Sequence, residues 1–231
     1  MKTIGMIGGM SWESTVTYYK IINQVTKEAL GGLHSAQCLL YSVDFYDIAE
    51  CQSAGDWTRS ADMLAKVAQG LEKAGANFII ICTNTMHKVA DDIQRRISVP
   101  ILHIAEVTAD VLLNQGLKKV ALLGTKYTME EDFYKQKLID RGLDVIVPDK
   151  KGRELINHTI YHELCLGEIK ETSKRDFINI MNQLGQLGAQ GIILGCTEIG
   201  LLVQQEDIKI PLFDTTVIHA TKAAELAINM I

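Results

Sequence analysis

The chain has 231 residues, enough for one large domain or two small ones, and its 47% hydrophobic content can bury a sizeable core. A net charge of −5 with no basic cluster argues against nucleic acid or an anionic membrane as partner. Five widely spaced cysteines without a CxxC pair exclude a disulfide framework or zinc ribbon, and free thiols suit a reducing cytoplasm. The start, MKTIGMIGGMSWES, lacks a long apolar core, and no run reaches membrane-spanning length, so a soluble cytoplasmic protein is expected.

Thr3–Ile7 reads as a short strand running into Gly8-Gly9. Ser11 caps a helix in which Trp12, Val16, Tyr19, Ile22 and Val25 recur at helical spacing, until Gly31-Gly32 stops it. The glycines match neither GxGxxG nor GxxxxGKS, which argues against a nucleotide. Gln37–Val43 is a second strand. Asp44–Gly55, a loop or short helix, leaves its carboxyl edge and overhangs any site there. Gln52 is the ligand contact this stretch offers, against the reading of a solvated glutamine. Cys38 and Cys51 read as packing residues. Asp56 caps a helix burying Met63, Leu64, Val67 and Leu71. The strand 77–82 follows, then Thr83-Asn84-Thr85 and a helix to about Arg96, with His87 a structural hydrogen-bonder in its first turn. Pro100 leads a strand, 101–104.

The helix 105–115 then leads to a strand, 119–123, with Gly124-Thr125 in the place of Gly8-Gly9. Thr128 and Glu131 form a capping box for a helix ending at Gly142. The strand 143–147 and helices near 152–166 and 173–187 precede the strand 192–194. Pro211 leads the strand 212–214, and an amphipathic helix from Thr216 to Met230 packs back onto the first half. Alternating strands and helices predict mainly parallel sheets.

Residues 71–85, LEKAGANFIIICTNT, align without a gap to residues 184–198, LGQLGAQGIILGCTE. Leu71, Gly75, Ala76, Ile79 and Ile80 match Leu184, Gly188, Ala189, Ile192 and Ile193, and Thr83 falls on Cys196. Two copies of one α/β unit are therefore expected, related by a pseudo-two-fold axis: 1–104 completed by 215–231, and 105–214. Ligands of open α/β sheets bind beyond the carboxyl ends of the strands. Residues 83 and 196 would then approach one ligand from opposite sides in a cleft between the lobes. That is the geometry of a racemase, in which one group removes an α-proton and another returns a proton to the opposite face. A thiol at a helix N-terminus is lowered from its usual pKa near about 8.5, and N–H groups after each motif can hold a substrate carboxylate.

IIICTNTMH and ILGCTEIG, with GMIGGMSWEST and ALLGTKYT, resemble the aspartate/glutamate racemases, a family of cofactor-independent amino-acid racemases. The resemblance covers nearly the whole chain. It implies two similar α/β lobes, commonly a homodimer, no metal or organic cofactor, and an amino-acid substrate held at Ser11, Asn84, Thr85, Thr125, Thr128 and Thr197, with Glu198. The family's first motif is usually Cys-Asn-Thr. Here it is Thr83-Asn84-Thr85, so Cys196 is expected as the main base with Thr83 opposite. Cys82 lies one residue earlier and alternates away; a bulge would be needed to bring it back. A related cysteine-dependent isomerase or decarboxylase, and a binding protein without catalysis, are the alternatives.

Overall fold

The computed structural model describes residues 1–229. The chain divides into two compact units: Met1–Ile104 together with the chain from His219 onward, and Ala105–Ile218. In the first, the elements run β1 (Ile4–Gly8), α1 (Trp12–Leu30), β2 (Cys38–Ser42), α2 (Phe45–Ala54), α3 (Trp57–Lys73), β3 (Phe78–Ile81), a 3-10 turn (Thr85–Val89) and α4 (Ala90–Gln94). Its sheet is parallel, in the order β2-β1-β3, with Ile4 in register with Cys38 and Phe78. From α5 (Ile104–Asn114) the second unit continues through β4 (Lys119–Gly124), α6 (Lys126–Glu130), α7 (Asp132–Ile139), β5 (Asp144–Ile146), α8 (Lys150–His162), α9 (Glu171–Gln186), β6 (Gly191–Gly195), α10 (Ile199–Leu202) and β7 (Leu212–Asp214). Its sheet is also parallel, in the order β5-β4-β6-β7. The last helix, α11 (Thr215–Ala227), begins in the second unit and finishes in the first. The expected helix end at Met230 lies outside the described residues.

The repeat extends to individual hydrogen bonds. Ala76 N–H donates to the Leu71 carbonyl and Ala189 N–H to the Leu184 carbonyl, each just after a glycine with positive φ, Gly75 or Gly188. Asn77 and Gln190 N–H then reach the carbonyls of Thr3 and Lys119, which registers each strand on its neighbour. Ile79 N–H donates to Pro100 and Ile192 N–H to Pro211, both at 2.9 Å. Chemically matched residues thus make matched contacts in both copies.

Alternation divides the core of the first unit. Ile79 and Ile81 pack on one side of the sheet with Leu64, Ala68 and Ile48. Phe78, Ile80 and Cys82 pack on the other with Tyr18, Ile22, Ala220, Ala223, Ala224 and Ala227. In the second unit Ile192, Leu194 and Cys196 share a face with Ile156, Ile160, Phe177 and Met181.

Three local expectations are corrected. Ile101 makes only an isolated bridge to Ile79 instead of opening a strand, because Pro100 has no N–H to extend the ladder and α5 already starts at Ile104. Thr125 replaces Thr128 as the N-cap, since its hydroxyl already sits at the strand end and accepts the Thr128 N–H at 3.4 Å. The helix expected to run to Gly142 breaks at Glu131, which is extended (φ −88°, ψ 161°). On α1 the buried face is Ser14, Thr15, Tyr18, Ile22 and Thr26, while Trp12, Val16 and Tyr19 are exposed.

Candidate active site

The first unit gathers three loops at the carboxyl ends of its strands. After β1 the chain turns at Gly9 (φ +89°), where a side chain would overlap the Val43 backbone. Gly9 N–H donates to Thr15 Oγ1 at 2.8 Å, and Thr15 Oγ1–H donates to the Ser11 carbonyl at 2.8 Å. Ser11 is thereby fixed as the N-cap of α1, its Oγ accepting the Ser14 N–H at 3.3 Å. The neighbouring loop follows β3. Cys82 N–H donates to Ile7, and Thr83, half-buried, is followed by the buried Asn84 and Thr85 at the 3-10 turn. The helix expected to run to about Arg96 is instead the five-residue 3-10 turn followed by the short α4, and Asn84 makes no side-chain capping bond. Gln52 lies within α2 and is buried; its Nε2 reaches Met86 Sδ at 3.2 Å, joining α2 to the motif.

A histidine cluster underlies this loop. His87 Nδ1 lies 2.8 Å from the Thr83 carbonyl, which can only accept, so Nδ1 carries the proton. Nε2 then accepts the Ile104 N–H at 3.2 Å. His219 Nε2 donates to the Leu102 carbonyl at 2.8 Å, which leaves Nδ1 to accept from the Tyr18 hydroxyl at 2.9 Å. His103 packs edge-on to His87 with ring centroids 4.6 Å apart. Burial drives the His219 pKa down to about 4, against a smaller upward pull from Leu102. His103 and His219 carried no signal in the sequence.

In the second unit Gly124 and Gly195 are register partners, so Thr125 and Cys196 leave adjacent strands in step. A side chain on Gly124 would press into the Gly195 carbonyl and Thr128, and the loops approach this closely because both residues are glycine. Thr125 Oγ1 and Thr128 Oγ1 lie 3.3 Å apart, both buried. Cys196 Sγ–H donates to Glu198 Oε2 at 3.0 Å, and Thr197 Oγ1–H donates to the same oxygen at 2.6 Å. Cys196 is 8% exposed and Glu198 4%.

The thiol pKa lies well above its ordinary value, chiefly through burial and next through the Glu198 carboxylate. This corrects the expectation of a favoured thiolate. The helix that follows, α10, has only four residues, and a carboxylate stands where an N-terminal dipole was to act. Burial, and next its neighbour Cys38, also raises the Cys82 pKa, and its side chain sits in the core. Tyr161, missed in the sequence, packs from α8 against the core cluster that holds Cys196, and with 34 residues between them no local pattern could show it.

Two parallel α/β units, each with a motif loop at matched strand ends, define an α/β enzyme of the two-lobed racemase type, an isomerase. The chain belongs to the Asp/Glu/hydantoin racemase family, whose model matches residues 7–223. It is 27% identical over 216 residues to the broad specificity amino-acid racemase RacX of Bacillus subtilis, covering 92% of both chains. A structure from Yersinia pestis, named provisionally as an Asp/Glu racemase, superposes with a TM-score of 0.93 at 53% identity, over 99% of this chain and 100% of that one. An aspartate racemase homologue from Pyrococcus horikoshii gives 0.85 at 38% identity, over 98% and 99%. Among the described residues no helix is long and apolar enough to cross a membrane, and no cluster of histidine, cysteine and carboxylate side chains could hold a metal ion.

Proposed function

We propose that this protein racemises an amino acid, aspartate, glutamate or one of similar size, without a cofactor. Cys196 is the main base and removes the α-proton from one face; Thr83 serves the opposite face. The observation that carries the reading is the recurrence itself. Thr83 and Cys196 are the same position of two copies of one unit, each just past the end of a buried strand. Ser11, Gln52, Asn84, Thr85, Thr125, Thr128 and Thr197, with the N–H groups after each motif, hold the substrate and offset its carboxylate while charge develops at the α-carbon. A threonine hydroxyl is a poor base near neutral pH but can return a proton to a carbanion. The working form is a cytoplasmic homodimer acting on a small molecule.

The broad specificity of RacX argues for a wide substrate panel. L- and D-amino acids are incubated in deuterated water with chelator and no added cofactor, and loss of the α-proton signal is followed by proton NMR. Exchange with at least one acidic or similarly small amino acid is expected. No exchange with any of them, or a need for added metal, pyridoxal phosphate or nicotinamide, overturns the reading.

A further inference from the structure

We propose that Asn157 of α8 is a positioning residue for the turn that carries Thr125 and Thr128. The inference rests on the reading that these two hydroxyls hold the substrate. What carries it is a bond between two helices: Lys126 N–H, the first donor of α6, reaches Asn157 Oδ1 at 2.9 Å. A backbone N–H can only donate, so the amide presents its oxygen here.

α6 has little with which to hold itself. It spans five residues between Thr125 and the extended Glu131, too short to be stable alone. Its N-cap bond, from Thr128 N–H to Thr125 Oγ1, is long at 3.4 Å, while Met129 N–H donates to the Thr125 carbonyl at 3.0 Å. Neither bond fixes the Lys126 N–H, one of the donors that a helix start leaves without an internal partner. α8 supplies that partner from a firm base. Asp149 caps it, accepting the Gly152 N–H at 2.8 Å, and Ile156 and Ile160 lie in the core cluster that also holds Met129 of α6. Met129 thus anchors the inner side of α6, and Asn157 fixes where its first residue stands.

Arg153, one turn before Asn157, holds the other end of α6, its Nε donating to Glu130 Oε1 at 2.8 Å. The two tethers are not of equal weight. Both side chains of the ion pair are partly exposed, and a cleft of about 360 Å³ between α6 and α8 brings water to them. An ion pair in that setting contributes little. The Asn157 bond grips the backbone itself, one residue from Thr125. Asn157 therefore sets the turn, and Arg153 is secondary.

Amide hydrogen exchange followed by NMR needs no substrate and separates this inference from the proposed activity. In the unmodified protein the Lys126 amide should exchange at least about tenfold more slowly than an open-chain amide. Asn157→Leu keeps the size and loses the acceptor, so exchange at Lys126 should rise at least about tenfold while the β6 amides keep their rates. Asn157→Asp keeps the oxygen and should stay within about threefold. The KM for α-deuterium exchange should rise about tenfold in Asn157→Leu with kcat within about threefold, since binding common to ground and transition states is lost. In Asn157→Asp it should return to within about threefold of the unmodified value. A Lys126 amide that exchanges at the open-chain rate in the unmodified protein overturns the inference by itself, whether or not the variants fold. So does an unchanged KM in Asn157→Leu, an aspartate variant no better than the leucine one, or a larger KM change in Arg153→Gln. If the unmodified protein exchanges no amino acid while Asn157 still protects the Lys126 amide, the racemase reading falls and the tether stands.

Discussion

Lowering the pH from 7.5 to 5.0 should destabilise the first unit through one residue, His219. Its imidazole is fully buried and committed on both sides, donating from Nε2 to Leu102 and accepting at Nδ1 from Tyr18. A proton on Nδ1 would break the Tyr18 bond and bury a charge, and the folded pKa accordingly lies near about 4 against 6.5 for a free histidine. Because the folded value is depressed, the unfolded chain binds the proton first. Stability is therefore lost as the pH falls through 6.5 toward 4 and is regained above that window. Linkage gives about 2 kcal/mol lost at pH 5.0 and about 3 kcal/mol once both states are protonated. Other groups titrate over the same range, so the measurement is a double difference against His219→Gln, which keeps a donor and an acceptor but cannot titrate. Both tryptophans, Trp12 and Trp57, lie in the first unit, and their fluorescence in urea reports that unit. The unmodified protein should lose about 2 kcal/mol more than the variant between the two pH values. An equal loss in both proteins would show that His219 does not remain neutral in the fold.

Cys196→Ser should abolish α-proton exchange while Cys82→Ser retains it, since Cys82 sits in the core; the reverse pattern would mean the wrong thiol had been chosen. Unequal bases on the two faces predict faster initial exchange for the L-enantiomer, by resemblance to the family, and Thr83→Cys should raise the D-to-L rate most. Similar rates from both enantiomers in the unmodified protein, or no gain in Thr83→Cys, would refute this. Gly9→Ala should cost about 2 kcal/mol or more by urea unfolding, because φ is +89° and the new methyl would meet Val43; a loss under about 0.5 kcal/mol would show that the turn relaxes.

The repeat was legible because identical chemistry recurs at fixed places: Gly75 with Gly188 to end a helix, Ile79 with Ile192 to pair with a proline carbonyl. The orientation of α1 was not. Apolar spacing picked out Trp12, Val16, Tyr19, Ile22 and Val25; Ile22 is buried and Val25 half-buried, while Trp12, Val16 and Tyr19 are 65%, 56% and 53% exposed. The face that is buried carries Ser14, Thr15 and Thr26, whose hydroxyls donate back to the Ser11 and Ile22 carbonyls. Polar groups satisfied within their own helix cost little to bury, so the buried face does not follow the apolar residues alone. The ionisation of Cys196 was hidden for a different reason. Burial comes first and Glu198 next, and Cys165 adds to it; much of the enclosing face comes from α8, more than 30 residues before Cys196 in the chain.

The split course of the chain has a consequence for how the protein is made. Four alanines of α11, from Ala220 to Ala227, complete the core cluster that holds Tyr18, Ile22, Phe78 and Cys82. A ribosome delivers β1, α1 and β3 early and α11 last. Between them comes the whole of the second unit, roughly 6–23 s of synthesis at about 5–20 residues per second. Through that interval the early sheet carries a bare apolar face, and the unit encoded later is complete while α11 has only begun. The half that starts first finishes second.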